Sequence, residues 1–183
     1  MQKISLLPIG EIEKPVLEFL AGEMKKRFVP EIEQSPAIEV PQSAFNPSRN
    51  KYHSTMILEE LKKLTGDFEK LLGIIDADLY VPRFNFVLGE SILYGRAAII
   101  SLIRLREEFY GLKRNQELFY DRALKEAIHE LGHTYGVSHC ENPYCVMTFS
   151  NSIDDTDNKG SDFCDTCRNL IRERNPSPVL KES

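Results

Sequence analysis

The sequence predicts a mixed α/β fold: a twisted, mostly parallel sheet with backing helices. Short apolar runs alternate with amphipathic stretches of helical period through the first hundred residues. Strands separated by helices favour parallel pairing, because a parallel neighbour needs a crossover. The chain has 183 residues, 42% of them hydrophobic and 28% charged, which suits one domain with a real core. Collagen-like, low-complexity and largely disordered readings are excluded.

The elements follow in order. Lys3–Leu7 is an apolar strand. Pro15 suits the first turn of a helix carrying Leu17, Leu20, Met24 and Phe28, and Pro30 stops it. Pro36 and Pro41 bracket a second short strand, Ala37–Val40, and Gln42–Asn50 has loop composition. Ile57, Leu61 and Leu64 mark a second helix, with Gly66 past its end. Leu71–Tyr80, Phe84–Leu88 and Ala97–Leu105 read as strands. Asn115 caps a long helix whose buried stripe is Leu124, Ile128, Leu131 and Tyr135, ending near Gly136. The tail from Arg172 is charged and contains proline, so it is expected to be loosely held. The single domain then divides into residues 1–136, 137–171 and a flexible 172–183.

Charge and cysteine usage narrow the function. The net charge is −5, which argues against a nucleic-acid partner. No apolar stretch approaches the ~20 residues that span a bilayer, so no membrane partner is expected. The first residues lack the apolar core and cleavage site of a signal peptide, so a cytoplasmic location is expected. All four cysteines, Cys140, Cys145, Cys164 and Cys167, lie in the last quarter, and three of the four histidines lie within residues 129–139. In a reducing compartment such a cluster points to metal or redox chemistry.

His129-Glu130-Leu131-Gly132-His133 matches H-E-x-x-H. Residues four apart share a helix face, so both imidazoles can reach one tetrahedral zinc ion. Glu130 lies about 100° around the helix, within reach of a water on that ion. His139 would lie about 15 Å from His129 if the helix ran on, so it can join them only after a sharp reversal. Gly136 permits that reversal, since glycine takes positive φ without steric cost. Three neutral imidazoles leave a fourth position for water, whose pKa such an ion lowers to about 7. Glu130 can accept its proton and return one to a leaving amine. Amide hydrolysis is the natural reaction. His53 has no such partners and reads as a helix-start histidine.

The string continues as His139-Cys140, then Cys145-Val146-Met147, then Cys164-Asp165-Thr166-Cys167. Together with the extended zinc motif it resembles the archaemetzincins, a subfamily of the metzincin metallopeptidases. The resemblance is strongest over residues 129–167. It implies a compact metzincin-like fold, a peptidase activity, and Met147 as a packing base beneath the catalytic zinc. It also implies a peptide or protein substrate held as an extended strand above the active-site helix, with Phe86–Leu93 as the candidate edge. Phe149 stands where some metzincins carry a tyrosine ligand, so no such ligand is expected. From the residues alone, the two cysteine pairs can supply four thiolates to a structural zinc that staples a small C-terminal subdomain, can form disulfides, or can act as a redox C-x-x-C. The expected cofactors are two zinc ions per chain, one catalytic and one structural. The rival functions are a zinc hydrolase of a non-peptide amide and a catalytically silent zinc-stapled module. Asp154, Asp155, Asp157 and Gly160 fail the EF-hand pattern and read as a solvated acidic loop.

Overall fold

The computed structural model describes residues 2–182. Its central sheet contains β1 (Lys3–Ile9), β2 (Glu31–Gln34), β5 (Lys70–Ile75), β8 (Gly89–Ser91) and β9 (Ala97–Ser101), in the order β2-β1-β5-β9-β8. The first four strands of that order run parallel, and β8 pairs antiparallel with β9 at the edge. A smaller sheet joins β3 (Phe45–Asn46), β4 (Lys51–His53), β6 (Leu79–Val81) and β7 (Phe84–Val87) in the order β3-β4-β6-β7. The helices are α1 (Lys14–Arg27), α2 (Ser54–Lys63), α3 (Gln116–Thr134), α4 (Ile153–Asn158) and α5 (Asp165–Arg174).

Alternation along the strands divides the core between two faces. Ile4, Leu6, Leu72, Ile74, Ala98 and Ile100 pack with α1 and α3. Leu7, Ile9, Leu71, Ile75, Ala97 and Ile99 face the other way, toward Ile57, Leu58 and Leu61 of α2. The central strands are buried on both faces, which is why they read as continuous apolar runs. Among the described residues no helix is long and apolar enough to cross a membrane.

Several boundaries differ from expectation. The run Leu71–Tyr80 is two strands in two sheets, divided at Asp76-Ala77-Asp78. Asp76 and Asp78 leave the ladder to bind Arg106 and Arg104. The second strand of the chain is Glu31–Gln34, not Ala37–Val40, of which only Ile38 bridges to β1. This is an edge strand with one buried residue, Ile32, so its apolar signal is weak. The run Ala97–Leu105 leaves the sheet after Ser101 and turns through a short 3-10 segment, Ile103–Leu105. The acidic residues after Asn151 form α4 rather than a solvated loop. Ser152 and Asp155 make a capping box, and Asp157 binds the buried Arg122 through both carboxylate oxygens at 2.7 Å.

The end of the chain is docked, not loosely held. Helix α5 continues through Arg174. Val179 and Leu180 are buried, Leu180 bridges to Phe28, and the Lys181 N–H donates to the Arg27 carbonyl. Two apolar residues in a polar tail suffice to hold it against α1, a signal that charge and proline content masked.

Candidate active site

Helix α3 carries the site. Asn115 caps its start by accepting from the Leu118 N–H. Glu126, His129, Glu130 and His133 fall at i, i+3, i+4 and i+7, so they share one face. That face forms one wall of a cleft of about 380 Å³, with β7, β8, His139 and Phe149 around it. The opposite stripe, Leu124, Ile128, Leu131 and Tyr135, is buried in the core as expected.

The reversal after the helix is a Schellman turn. The Gly136 N–H donates to the His133 carbonyl and the Val137 N–H to the Gly132 carbonyl. Gly136 has φ +91°, and a Cβ there would lie 2.2 Å from the Tyr94 ring. Arg174 donates to the Gly136 carbonyl and Asn175 to the Tyr135 carbonyl, so the end of α5 clasps this turn. The reversal delivers His139 to the other two histidines. The three rings stand 4.7–5.4 Å apart between centroids, and one nitrogen from each lies within 4.8 Å of the others.

The hydrogen bonds of the histidines suit a metal ion. His129 Nδ1 lies 2.8 Å from the Val146 carbonyl and His133 Nδ1 lies 2.7 Å from the Val137 carbonyl. A carbonyl can only accept, so each Nδ1 carries the proton and each Nε2 presents a lone pair. The two Nε2 atoms face each other at 3.1 Å. Two lone pairs at that distance need a cation between them. A tetrahedral zinc with ~2.0 Å arms has nitrogen–nitrogen edges of about 3.3 Å, so the residues fit the ion. Burial and the nearby Lys159 hold His129 well below its ordinary pKa, and burial brings His133 down to about 4. Both rings are therefore neutral ligands near pH 7.

Glu130 is buried beside them. Burial pushes its carboxyl up to about 8, against the pull of a hydrogen bond from the Ser91 hydroxyl to Oε2. A divalent cation in the site acts in the opposite sense and favours the carboxylate. Gly89 makes room for this side chain, since a Cβ there would lie 2.7 Å from both Glu130 Cγ and Oε1. Lys159 and Glu126 form a second buried pair in the cleft wall, with Nζ 3.0 Å from Oε1 but no well-directed hydrogen bond. Sequence reasoning gave Gly89 and Ser91 no role beyond the candidate edge Phe86–Leu93, and it did not single out Glu126 or Lys159 for the site. A helical-face count from His129 reaches Glu126, but nothing local points to the other three.

The cysteines meet behind His139. Cys140 and Cys164 have Sγ atoms 3.8 Å apart, Cys145 and Cys167 have theirs 3.7 Å apart, and all four lie within 4.8 Å of one another. These distances exclude disulfides, whose sulfurs sit about 2.05 Å apart. They match a tetrahedral zinc with ~2.3 Å arms, whose sulfur–sulfur edges are about 3.8 Å. Burial opposes ionisation of Cys164, but the Cys167 N–H and the neighbouring thiols outweigh it and bring its pKa down to about 7.

Residues 145–147 join the two clusters. Cys145 enters the thiol group, the Val146 carbonyl holds His129, and the Met147 carbonyl accepts from the Cys140 N–H. The Met147 side chain packs beneath Gly132, where a Cβ would lie 2.4 Å from Sδ. Phe149 lies against His139 at 4.7 Å and offers no ligand atom. His53 sits at the N-cap of α2, away from these groups.

Known proteins share this fold and much of this sequence. Residues 22–173 match the family described as Peptidase family M54. Archaemetzincin of Methanocaldococcus jannaschii is 43% identical over 174 residues, covering 95% of each chain. The crystal structure of archaemetzincin from Archaeoglobus fulgidus superposes with a TM-score of 0.81 at 37% identity, over 92% of this chain and 99% of that one. The archaemetzincin structure from Methanopyrus kandleri gives 0.83 at 31% identity, over 94% of each. The chain belongs to the archaemetzincins, peptidase family M54, and is a zinc metallopeptidase.

Proposed function

We propose that this chain hydrolyses peptide bonds with Glu130 as general base and acid, using one catalytic and one structural zinc per chain. The observation that carries the reading is the pair of facing Nε2 lone pairs at 3.1 Å, each fixed by a backbone carbonyl on the opposite ring nitrogen. His129, His133 and His139 would hold the catalytic ion, which supplies a Lewis acid that activates water and polarises the scissile carbonyl. Cys140, Cys145, Cys164 and Cys167 would hold the structural ion, and four thiolates would leave no position for water.

The chain's own groups complete the chemistry. Ser91 engages Glu130 Oε2, so Oε1 is the oxygen left to take the proton from water and hand it to the leaving amine. The substrate lies along β8. Leu88 and Ile92 bond to β9, and alternation in an antiparallel ladder turns the backbone groups of Gly89 and Ser91 to the open edge. An extended peptide added there passes over the histidine face of α3. Gly136 and Met147 support the site by turning the chain and by flooring the helix. Four clustered cysteines without a disulfide fit the reducing interior of a cell, so the location we read is cytoplasmic.

The test is Glu130→Gln in the zinc-loaded protein, with metal counted by atomic absorption and activity read on a peptide library. The expected result is two zinc per chain and loss of turnover by at least about a thousandfold, within the range for a general base. Peptide hydrolysis at the parent rate would refute the role of Glu130. One zinc per chain after titration with excess metal would refute the two-ion reading.

A further inference from the structure

We propose that Ser91 is a positioning residue for the reaction: its hydroxyl holds Glu130 Oε2 and so leaves Oε1 to take the proton, and the β8 edge thereby couples substrate pairing to the base. This inference rests on the reading of Glu130 as base and adds the residue that aims it. Three independent features of β8 carry it.

The first is the hydrogen bond from Ser91 Oγ to Glu130 Oε2, across 39 positions of sequence. The second is the absence of a side chain at Gly89. Residues 89 and 91 point to the same side of the sheet, toward α3. Any Cβ at 89 would press on Glu130 Cγ and Oε1 at 2.7 Å and on the Ile99 carbonyl at 2.9 Å. One residue makes room for the carboxylate and the other pins it. The third is Glu90, which points to the opposite side. Its carboxylate accepts from the Ser54 and Thr55 hydroxyls at the start of α2. The strand is thus fastened on both faces. A glutamate side chain has three rotatable bonds, so one hydroxyl at its tip selects among several orientations. The backbone groups of Gly89 and Ser91 are the same ones that face an incoming peptide. Ser91 therefore touches the substrate line through its main chain and the base through its side chain.

The experiment uses the zinc-loaded full chain and separates kcat from KM. In Ser91→Ala the zinc content and KM are expected to stay within twofold of the parent. The same variant should lower kcat roughly ten- to a hundredfold, the value of one hydrogen bond to a charged group. Ser91→Thr restores the hydroxyl and should recover most of kcat, which a purely steric role would not do. Gly89→Ala crowds the same carboxylate from the other side and should also lower kcat. Near-ultraviolet circular dichroism checks that each variant keeps its fold. Unchanged kcat in Ser91→Ala overturns the proposal, as does a fall in kcat that Ser91→Thr fails to recover. If Glu130→Gln retains turnover, the base assignment itself has failed. If Glu130→Gln is inactive and Ser91→Ala is not, only the positioning role has failed.

Discussion

Gly132 lies in the last turn of α3, where its backbone is still helical and glycine costs up to about 1 kcal/mol relative to alanine, so an ordinary helix would gain from Gly132→Ala. This one should lose. The new Cβ would lie 2.4 Å from Met147 Sδ, 3.1 Å from Met147 Cε and 2.8 Å from Phe163 Cε1, all in the core. Relaxed contacts are about 3.5–4.0 Å, so Met147 must move by roughly 1 Å. Overpacking of this kind costs ~1–3 kcal/mol, which leaves a net loss of about 0–2 kcal/mol after the helical gain. Met147→Ala alone opens a cavity and should cost ~2–5 kcal/mol. In the double variant the alanine methyl enters the space that Met147 leaves. Its loss should therefore fall short of the sum of the single losses by about 1–3 kcal/mol. Urea unfolding of the four zinc-free proteins measures this coupling. Zinc titration adds a second reading, because moving Met147 drags the Val146 carbonyl that orients His129, and such supports change metal affinity by about 10–100-fold. Additivity within about 0.5 kcal/mol would show that Met147 does not floor the helix as described.

Two further outcomes rest on buried groups. In the metal-free protein Glu130 ionises at about 8, above its unfolded value of 4.5, so the folded state holds the extra proton between those limits and loses stability as pH rises through them. Between pH 6.5 and 8 this amounts to about 1.6 kcal/mol, to be read as the difference in unfolding free energy between parent and Glu130→Gln, in which the thiol titrations cancel; equal slopes in the two proteins would contradict it. Deleting residues 176–183 removes the buried Val179 and Leu180 and uncovers Phe28, and should cost about 3–6 kcal/mol in urea unfolding at about 1.5–3 kcal/mol for each of the two deleted side chains; an unchanged midpoint would show that the tail is not docked.

The site was legible where its information is local. Four-residue spacing puts His129 and His133 on one face, and a glycine three residues later is the device that a third ligand needs. The cysteine spacings carry the second cluster in the same way. The fold class was legible from alternating apolar runs. What stayed hidden depends on neighbours far along the chain. Ser91 and Gly89 act on Glu130 only because β8 lies at the sheet edge beside α3, and no periodicity encodes that adjacency. Strand limits failed where a polar residue does a tertiary job: Asp76 and Asp78 end β5 to meet arginines from beyond β9. The acidic stretch 154–157 looked solvated because its partner, Arg122, is buried 35 residues away.

The three-residue link at Cys145, Val146 and Met147 has a bearing on how the molecule comes into being. A ribosome finishes α3 while the carbonyl that orients His129, the thioether beneath Gly132 and all four thiols are still unmade. Each of those parts lies downstream, and Cys145 gathers with Cys164 and Cys167 only once α5 has emerged. A nascent chain therefore carries the helix before the groups that orient its histidines exist. The histidine cluster can gather only after the residues beyond Gly136 are made, and the cysteine cluster only after Cys167.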